Sequence, residues 1–226
     1  MRTLAIGDIH GCLRALDALL NQVRPRQDDL VVTLGDYVDR GHESAAVLER
    51  LIDLGKTCRH VALLGNHDLM MLESRGDAEI FRDWFLCGGE QTLQSYEADP
   101  HWDLFQDAIP ARHWRFLEAT CVPFFETDSH FFVHANADPA LALPDQPDYM
   151  LHWHPLDADG SRCHESGKTM ICGHTAQRSG KPLALDHATC IDTWVYGDGW
   201  LTCLDVKTGK YWQANQVGAT RQAWLE

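Results

Sequence analysis

Six polar residues carry the chain's clearest chemical potential. Asp8 and His10 alternate around Ile9, so an extended turn points both at one edge. Asp36, Asn66, His134 and His174 each follow an apolar, strand-like run at its C-terminal end. Together the six offer two carboxylates, three imidazoles and one amide, and no thiolate. Mixed oxygen and nitrogen donors suit manganese, iron or zinc better than calcium, and thiolate-seeking metals poorly. Six donors exceed what one tetrahedral ion needs but suit two ions sharing a carboxylate. Such ions lie about 3.5–4 Å apart and activate water for displacement at phosphorus. Singly, each residue has a plainer role: Asp8 as a helix N-cap, Asn66 or Asp68 as the cap of a helix at 69, a histidine as ordinary packing. The metal reading rests on their joint recurrence at strand ends.

The elements that must position these groups repeat one pattern three times in the first third of the chain. Apolar run, charged turn and amphipathic helix follow one another at residues 3–23, 30–54 and 61–72. The middle turn, Gly35-Asp36-Tyr37-Val38-Asp39-Arg40-Gly41, crowds two carboxylates and a guanidinium between glycines, which requires partners for each charge. Strand–helix alternation of this kind predicts βαβαβ with parallel strands, its turns gathered at one sheet edge. Residues 76–119 lack strand signals and read as a helical insertion with short helices at 79–86, 90–96 and 112–119. Trp84, Phe85, Trp102, Trp114 and Phe116 are its apolar anchors, and Pro110 begins its last helix. Residues 122–127 and 131–134 read as strands joined by a turn at Asp128-Ser129. Residues 136–168 read as a long loop. Short strands at 169–172, 183–185, 190–191, 201–206 and 211–212 predict a second, mostly antiparallel sheet. The expected fold class is α/β, two packed mixed β-sheets flanked by helices around the βαβαβ core, in one domain spanning 1–226.

Composition narrows the function. Nineteen basic against thirty-three acidic residues give a formal net charge of −14, which repels nucleic-acid backbones and excludes duplex DNA or RNA as the expected partner. No apolar run reaches the ~18 residues of a membrane span, and the N-terminal stretch lacks signal-peptide features. A cytoplasmic protein without membrane contact is expected. The eight cysteines form no C-x-x-C pair, and Cys172, Cys190 and Cys203 lie in apolar runs as reduced core residues.

Five ordered stretches then resemble a known family: Gly7-Asp8-Ile9-His10-Gly11, the loop from Gly35 to Gly41, Gly65-Asn66-His67-Asp68, Val133-His134-Ala135 and Gly173-His174-Thr175. In this order they are similar to the motifs of calcineurin-like metallophosphoesterases. They resemble in particular the phosphoprotein phosphatase branch, in its short bacterial and bacteriophage lambda phosphatase form. The resemblance covers about residues 3–206. It implies that Asp8, His10 and Asp36 hold one metal and that Asp36 bridges to a second held by Asn66, His134 and His174. It further implies a water or hydroxide between the ions as nucleophile, Arg40 on substrate phosphate, and His67 as general acid oriented by Asp39. The expected activity is metal-dependent hydrolysis of phosphate monoesters, on phosphoserine or phosphothreonine proteins, phosphotyrosine or small phosphoesters, with Mn, Fe or Zn as the ion pair. The alternative in the same superfamily is a symmetrical diadenosine-tetraphosphate hydrolase, whose members usually carry a small residue in place of Asp39, or another nucleotide phosphohydrolase. A non-catalytic metal-holding interaction module is a third reading, disfavoured by His67, Asp39 and Arg40.

The chain also departs from the family pattern. The family's second phosphate-binding arginine, expected after Trp153, is replaced by His154-Pro155. Arg162, Arg178 or His154 are the candidates to stand in for it. The family's Ile-Asp-Thr-Gly reads Ile191-Asp192-Thr193-Trp194, so Trp194 either walls the cleft or packs beneath it.

Overall fold

In a computed structural model that describes residues 1–157 and 162–225, the three apolar runs of the first third become parallel strands. They are β1 (Thr3–Ile6), β2 (Leu30–Thr33) and β3 (Arg59–Ala62), paired β1 to β2 and β2 to β3. Helices α1 (Leu13–Val23) and α2 (Ser44–Leu54) cross between them. Alternation along the strands sorts side chains to two faces. Leu4, Ile6 and Val31 pack on Leu16, Leu19, Val47 and Leu51 of the helices, whereas Ala5, Leu30 and Val32 face a second sheet.

The second sheet orders as β4 (Phe124–Glu126), β5 (His130–Val133), β6 (Thr169–Cys172), β8 (Ala188–Cys190) and β7 (Leu183–Ala184). It meets the first through Phe132, Ile171 and Ile191, which join Val32 and Leu34 in one core. Its outer face, with Phe131, Val133, Met170 and Cys172, is covered by Leu143, Leu151 and Leu156. Two packed mixed sheets flanked by helices are therefore present.

Three details differ from the sequence expectation. The second sheet has a parallel centre, β5–β6–β8, and antiparallel edges only. The last strands, β10 (Trp200–Asp205), β11 (Lys210–Ala214) and β12 (Thr220–Trp224), extend the first sheet. β10 lies antiparallel to β1, and the short β9 (Asp192–Thr193) pairs with β10. Period-two patterning marks a strand but not its partner, and β1 and β10 lie about two hundred residues apart. The stretch at 136–168, read as irregular, holds a 3₁₀ turn (Leu143–Asp145) and α8 (Asp148–His152); its residues 158–161 lie outside the described residues.

The insertion is helical as expected: α3 (Asn66–Glu73) leads to α4 (Ala78–Trp84), α5 (Glu90–Ser95), α6 (Phe105–Ala108) and α7 (Ala111–Arg115). Asp77 caps α4 by accepting the N–H groups of Glu79 and Ile80. Among the anchors, Trp84, Trp114 and Phe116 are buried, but Trp102 is exposed. All eight cysteines are free, and among the described residues no helix is long and apolar enough to cross a membrane.

Candidate metal centre

The C-terminal ends of parallel strands in both sheets converge on one point. Asp8 follows β1, Asp36 follows β2, and Asn66 opens α3 just after β3. From the second sheet, His134 follows β5 and His174 follows β6. Asp8, His10, Asp36, Asn66 and His134 are buried and His174 is half-buried.

Two groups of potential ligands share one residue. His10, Asp36 and His67 form the first, and Asp36, His134 and His174 the second; within each, donor atoms lie within 4.8 Å of one another. Asp36 Oδ2 is 3.4 Å from His10 Nε2, and its Oδ1 is 3.5 Å from His134 Nε2. One carboxylate thus faces both groups. Asn66 Oδ1 stands between His134 Nε2 at 2.9 Å and His174 Nδ1 at 3.0 Å. Asp8 sits differently: both of its oxygens accept the backbone N–H of His174, at 3.1 and 3.2 Å. The first group includes His67 and does not include Asp8, which the sequence pattern assigns to it.

Backbone carbonyls select the tautomer of each imidazole. His10 Nδ1 donates to Val38 O (2.9 Å), His134 Nδ1 to Leu34 O (2.8 Å) and His174 Nε2 to Trp153 O (3.1 Å). A carbonyl can only accept, so the proton stays on those nitrogens and the opposite lone pair faces Asp36. Burial lowers the pKa of His10 and of His174, and brings His134 to about 4, so all three are neutral at pH 7. Burial alone would raise Asp36, but the positive charge that the surrounding imidazoles, His134 first, carry in acid and the backbone N–H that His67 donates to it hold its carboxyl well below the usual range. An anionic carboxylate ringed by neutral imidazoles is a donor set ready for divalent cations. Asp8 shifts the other way, raised by burial and then by the charges of Asp192 and Asp36.

A second constellation flanks the first. His67 Nδ1 donates to Asp39 Oδ2 at 2.7 Å. Asp39 is fully buried and held by Trp84 Nε1, which donates to both oxygens at 3.0 Å, and by Thr92 Oγ1, which donates at 2.7 Å. Burial raises the Asp39 pKa, and the His67 contact opposes that rise. Trp84 and Thr92 belong to the helical insertion, so this segment orients the pair. They lie 45 and 53 residues from Asp39, and nothing in their local pattern separates them from packing residues. Arg40 donates to His10 Nε2 and His67 Nε2, each at 2.8 Å, and its guanidinium lies 4.3 Å over the Tyr196 ring. Tyr196, which the motif pattern does not mark, meets His10 edge-on at 4.8 Å.

The backbone is strained where these groups meet. Among the described residues eight non-glycine residues have positive φ, and six of them line this region: His10, Asp36, Asp39, Arg40, His174 and Trp194. Such conformations cost about 1–3 kcal/mol each and persist only where surroundings over-determine them. Gly65 shows the close packing involved, because a Cβ there would lie 2.2 Å from both N and Oδ1 of Asp36. Gly88, at φ +120°, accepts the Arg40 N–H through its carbonyl and leaves no room for a side chain. Of the candidates for a second phosphate arginine, His154 and Arg162 line a cavity of about 270 Å³ against the outer face of the second sheet. Arg178 instead lies 5.2 Å over the Trp194 ring.

A sequence model of the calcineurin-like phosphoesterase family matches residues 1–197, and the chain belongs to that family. Symmetrical bis(5'-nucleosyl)-tetraphosphatases of Pectobacterium atrosepticum and Yersinia pestis are 51% and 54% identical to it over 74 residues. That match is 32% of this chain and 25% of theirs, so the chain spans about a quarter of the length of these curated relatives. A solved structure described as a "putative diadenosine tetraphosphatase" superposes with a TM-score of 0.66 at 20% identity, covering 99% of this chain and 93% of its own. A cold-active protein tyrosine phosphatase gives 0.66 at 15% identity, covering 98% and 78%. At these identities the shared property is the fold.

Proposed function

We propose that the chain is a binuclear metal-dependent hydrolase that cleaves dinucleoside polyphosphates of the symmetrical tetraphosphate class. The observation that carries the chemistry is the pair of ligand groups hinged on Asp36. The substrate class is supported by the tetraphosphatases at 51–54% identity over 74 residues. Asp8, His10 and Asp36 would hold one divalent ion, and Asp36, Asn66, His134 and His174 the other. When bound, the pair supplies Lewis acidity and a water activated for attack at phosphorus. Mn is the expected metal, with Fe or Zn as substitutes.

The chain's own groups do the rest. Arg40 offers two N–H donors on one planar fork, which suits two phosphate oxygens. Once Arg40 turns to phosphate, His67 Nε2 is released from it and faces the departing oxygen. The freed Nε2 takes up a proton from water, Asp39, fixed by Trp84 and Thr92, stabilises the resulting imidazolium through Nδ1, and Nε2 then gives that proton to the departing oxygen.

One observation favours a second reading, the hydrolysis of phosphate monoesters such as phosphoserine or phosphothreonine side chains. The phosphate leaving from an anhydride is a stable anion, whereas the alkoxide leaving from an ester needs a proton. The His67–Asp39 pair supplies one.

A single panel separates the readings: protein stripped by chelator, reloaded with Mn, Fe or Zn, and given diadenosine tetraphosphate, a phosphoserine peptide or an aryl phosphate. Two ADP per tetraphosphate, at a kcat/KM above that for the phosphopeptide, is expected. Faster phosphate release from the peptide would replace the first reading with the second. No cleavage with any of these ions would remove both.

A further inference from the structure

Arg40 is the first of four side chains that stack in series away from the metal centre. Its guanidinium lies 4.3 Å over Tyr196; Tyr196 meets Trp194 edge-on, with ring centroids 6.3 Å apart; and the Arg178 guanidinium lies 5.2 Å over Trp194. Tyr196 and Trp194 are half-buried, so each keeps an accessible surface, and Arg178 is exposed. Among the described residues Arg178 makes no ion pair and no hydrogen bond, although the chain carries a net charge of −14.

These positions are built, not incidental. Trp194 has φ +64°, at the point where the family pattern has glycine, and it is held there from three sides. Its N–H donates to Asp192 Oδ1 at 2.9 Å, and its carbonyl accepts the N–H groups of Gly197 and Gly199 at 3.1 Å. The indole lies so close on Gly197 that a Cβ there would come within 2.4 Å of the ring. The segment bearing Arg178 is tied to the same place, since Gln177 N–H donates to Asp192 O at 2.9 Å. The left-handed tryptophan thus carries above it a guanidinium that is unpaired among the described residues. It suits a ligand that offers both negative charge and an aromatic face.

We infer that Tyr196, Trp194 and Arg178 form a second subsite, continuous with Arg40, that takes the outlying phosphates and base of a nucleotide polyphosphate; this rests on the nucleotide reading of the site. Arg40 holds the phosphate under attack, Arg178 turns from the indole to pair with a phosphate further along the substrate, and the Trp194 face it leaves supplies a surface for the base. The arrangement gives affinity for the chain beyond the reacting phosphate and none for phosphate alone.

The test is calorimetric binding of β,γ-imido-ATP and of inorganic phosphate to Mn-loaded wild type, Arg178→Gln and Trp194→Gly. Neither substitution strains the backbone: Arg178 is exposed, and glycine suits the positive φ at 194. Wild type is expected to bind the nucleotide at least about tenfold more tightly than phosphate. Each variant should lose about tenfold for the nucleotide, the scale of one charge-assisted contact, and stay within about twofold for phosphate. Equal affinities in wild type, or equal losses for both ligands, would overturn the subsite. Diadenosine tetraphosphate cleavage is scored separately. Its absence beside a retained nucleotide preference would remove the substrate reading and leave the subsite standing.

Discussion

At the scale of single residues, His67 and Asp36 make opposite demands, and their variants should separate cleanly. His67→Asn keeps a polar group but has no acidic proton to give. It should lower kcat on an alkyl phosphate by about 10²–10⁴, the usual worth of general acid catalysis, while metal content stays near that of wild type. The loss should be much smaller on 4-nitrophenyl phosphate, whose leaving group needs no proton; equal losses on both would refute the acid role. Asp36→Asn removes the charge that faces both ligand groups, so elemental analysis should show loss of at least one ion per chain. Unchanged stoichiometry would mean Asp36 bridges nothing. The residues of the centre were legible because each stands in a short motif after a strand-like run. The support for Asp39 was not. Trp84 looked like one more apolar anchor of the insertion, and only the fold brings its indole N–H to a carboxylate 45 residues away.

Elements hold these residues through contacts that can be weighed one at a time. Arg2, at the start of β1, is tied to Asp29, just before β2: its backbone N–H donates to Oδ1 at 2.8 Å and its Nη2 to Oδ2 at 2.6 Å. Burial would raise Asp29, but the hydrogen bonds from Arg2 and Arg26 hold its pKa at about 2, against 3.8 ordinarily. A carboxyl depressed on folding stabilises above its unfolded pKa. Asp29 should therefore contribute about 2 kcal/mol near neutrality, lost as pH falls from about 4 towards 2. Denaturant melts of Asp29→Asn should show that deficit at pH 7 and almost none at pH 2; a constant difference would contradict it. Gly65→Ala presses a methyl into Asp36. It should cost about 1–3 kcal/mol in the same melts and weaken metal retention. Strands and helices of the first two-thirds were readable from periodicity and turn chemistry. The placement of β10 beside β1 was not, because antiparallel pairing across the whole chain leaves no local mark in either strand.

Across the whole molecule, the candidate ligands come from both sheets: Asp8, His10, Asp36 and Asn66 from the first, His134 and His174 from the second. Ions bound there would join two layers otherwise held by apolar packing, and ligand binding to the native state alone raises stability by mass action. Saturating Mn should raise Tm by several degrees, excess chelator should reverse the rise, and Asp36→Asn should abolish most of it. A Tm indifferent to metal in the wild type would refute the cross-sheet role. The left-handed residues have a consequence for how the chain evolves. His10, Asp36, Asp39, Arg40, His174 and Trp194 each adopt a backbone conformation that glycine or asparagine would adopt more cheaply. A library selected only for heat resistance in excess chelator, where no metal lends the ligands stability, should accumulate such replacements at these six positions and lose hydrolysis as it gains stability. The easiest route to a sturdier protein thus runs through its chemistry, and only selection for turnover keeps it closed.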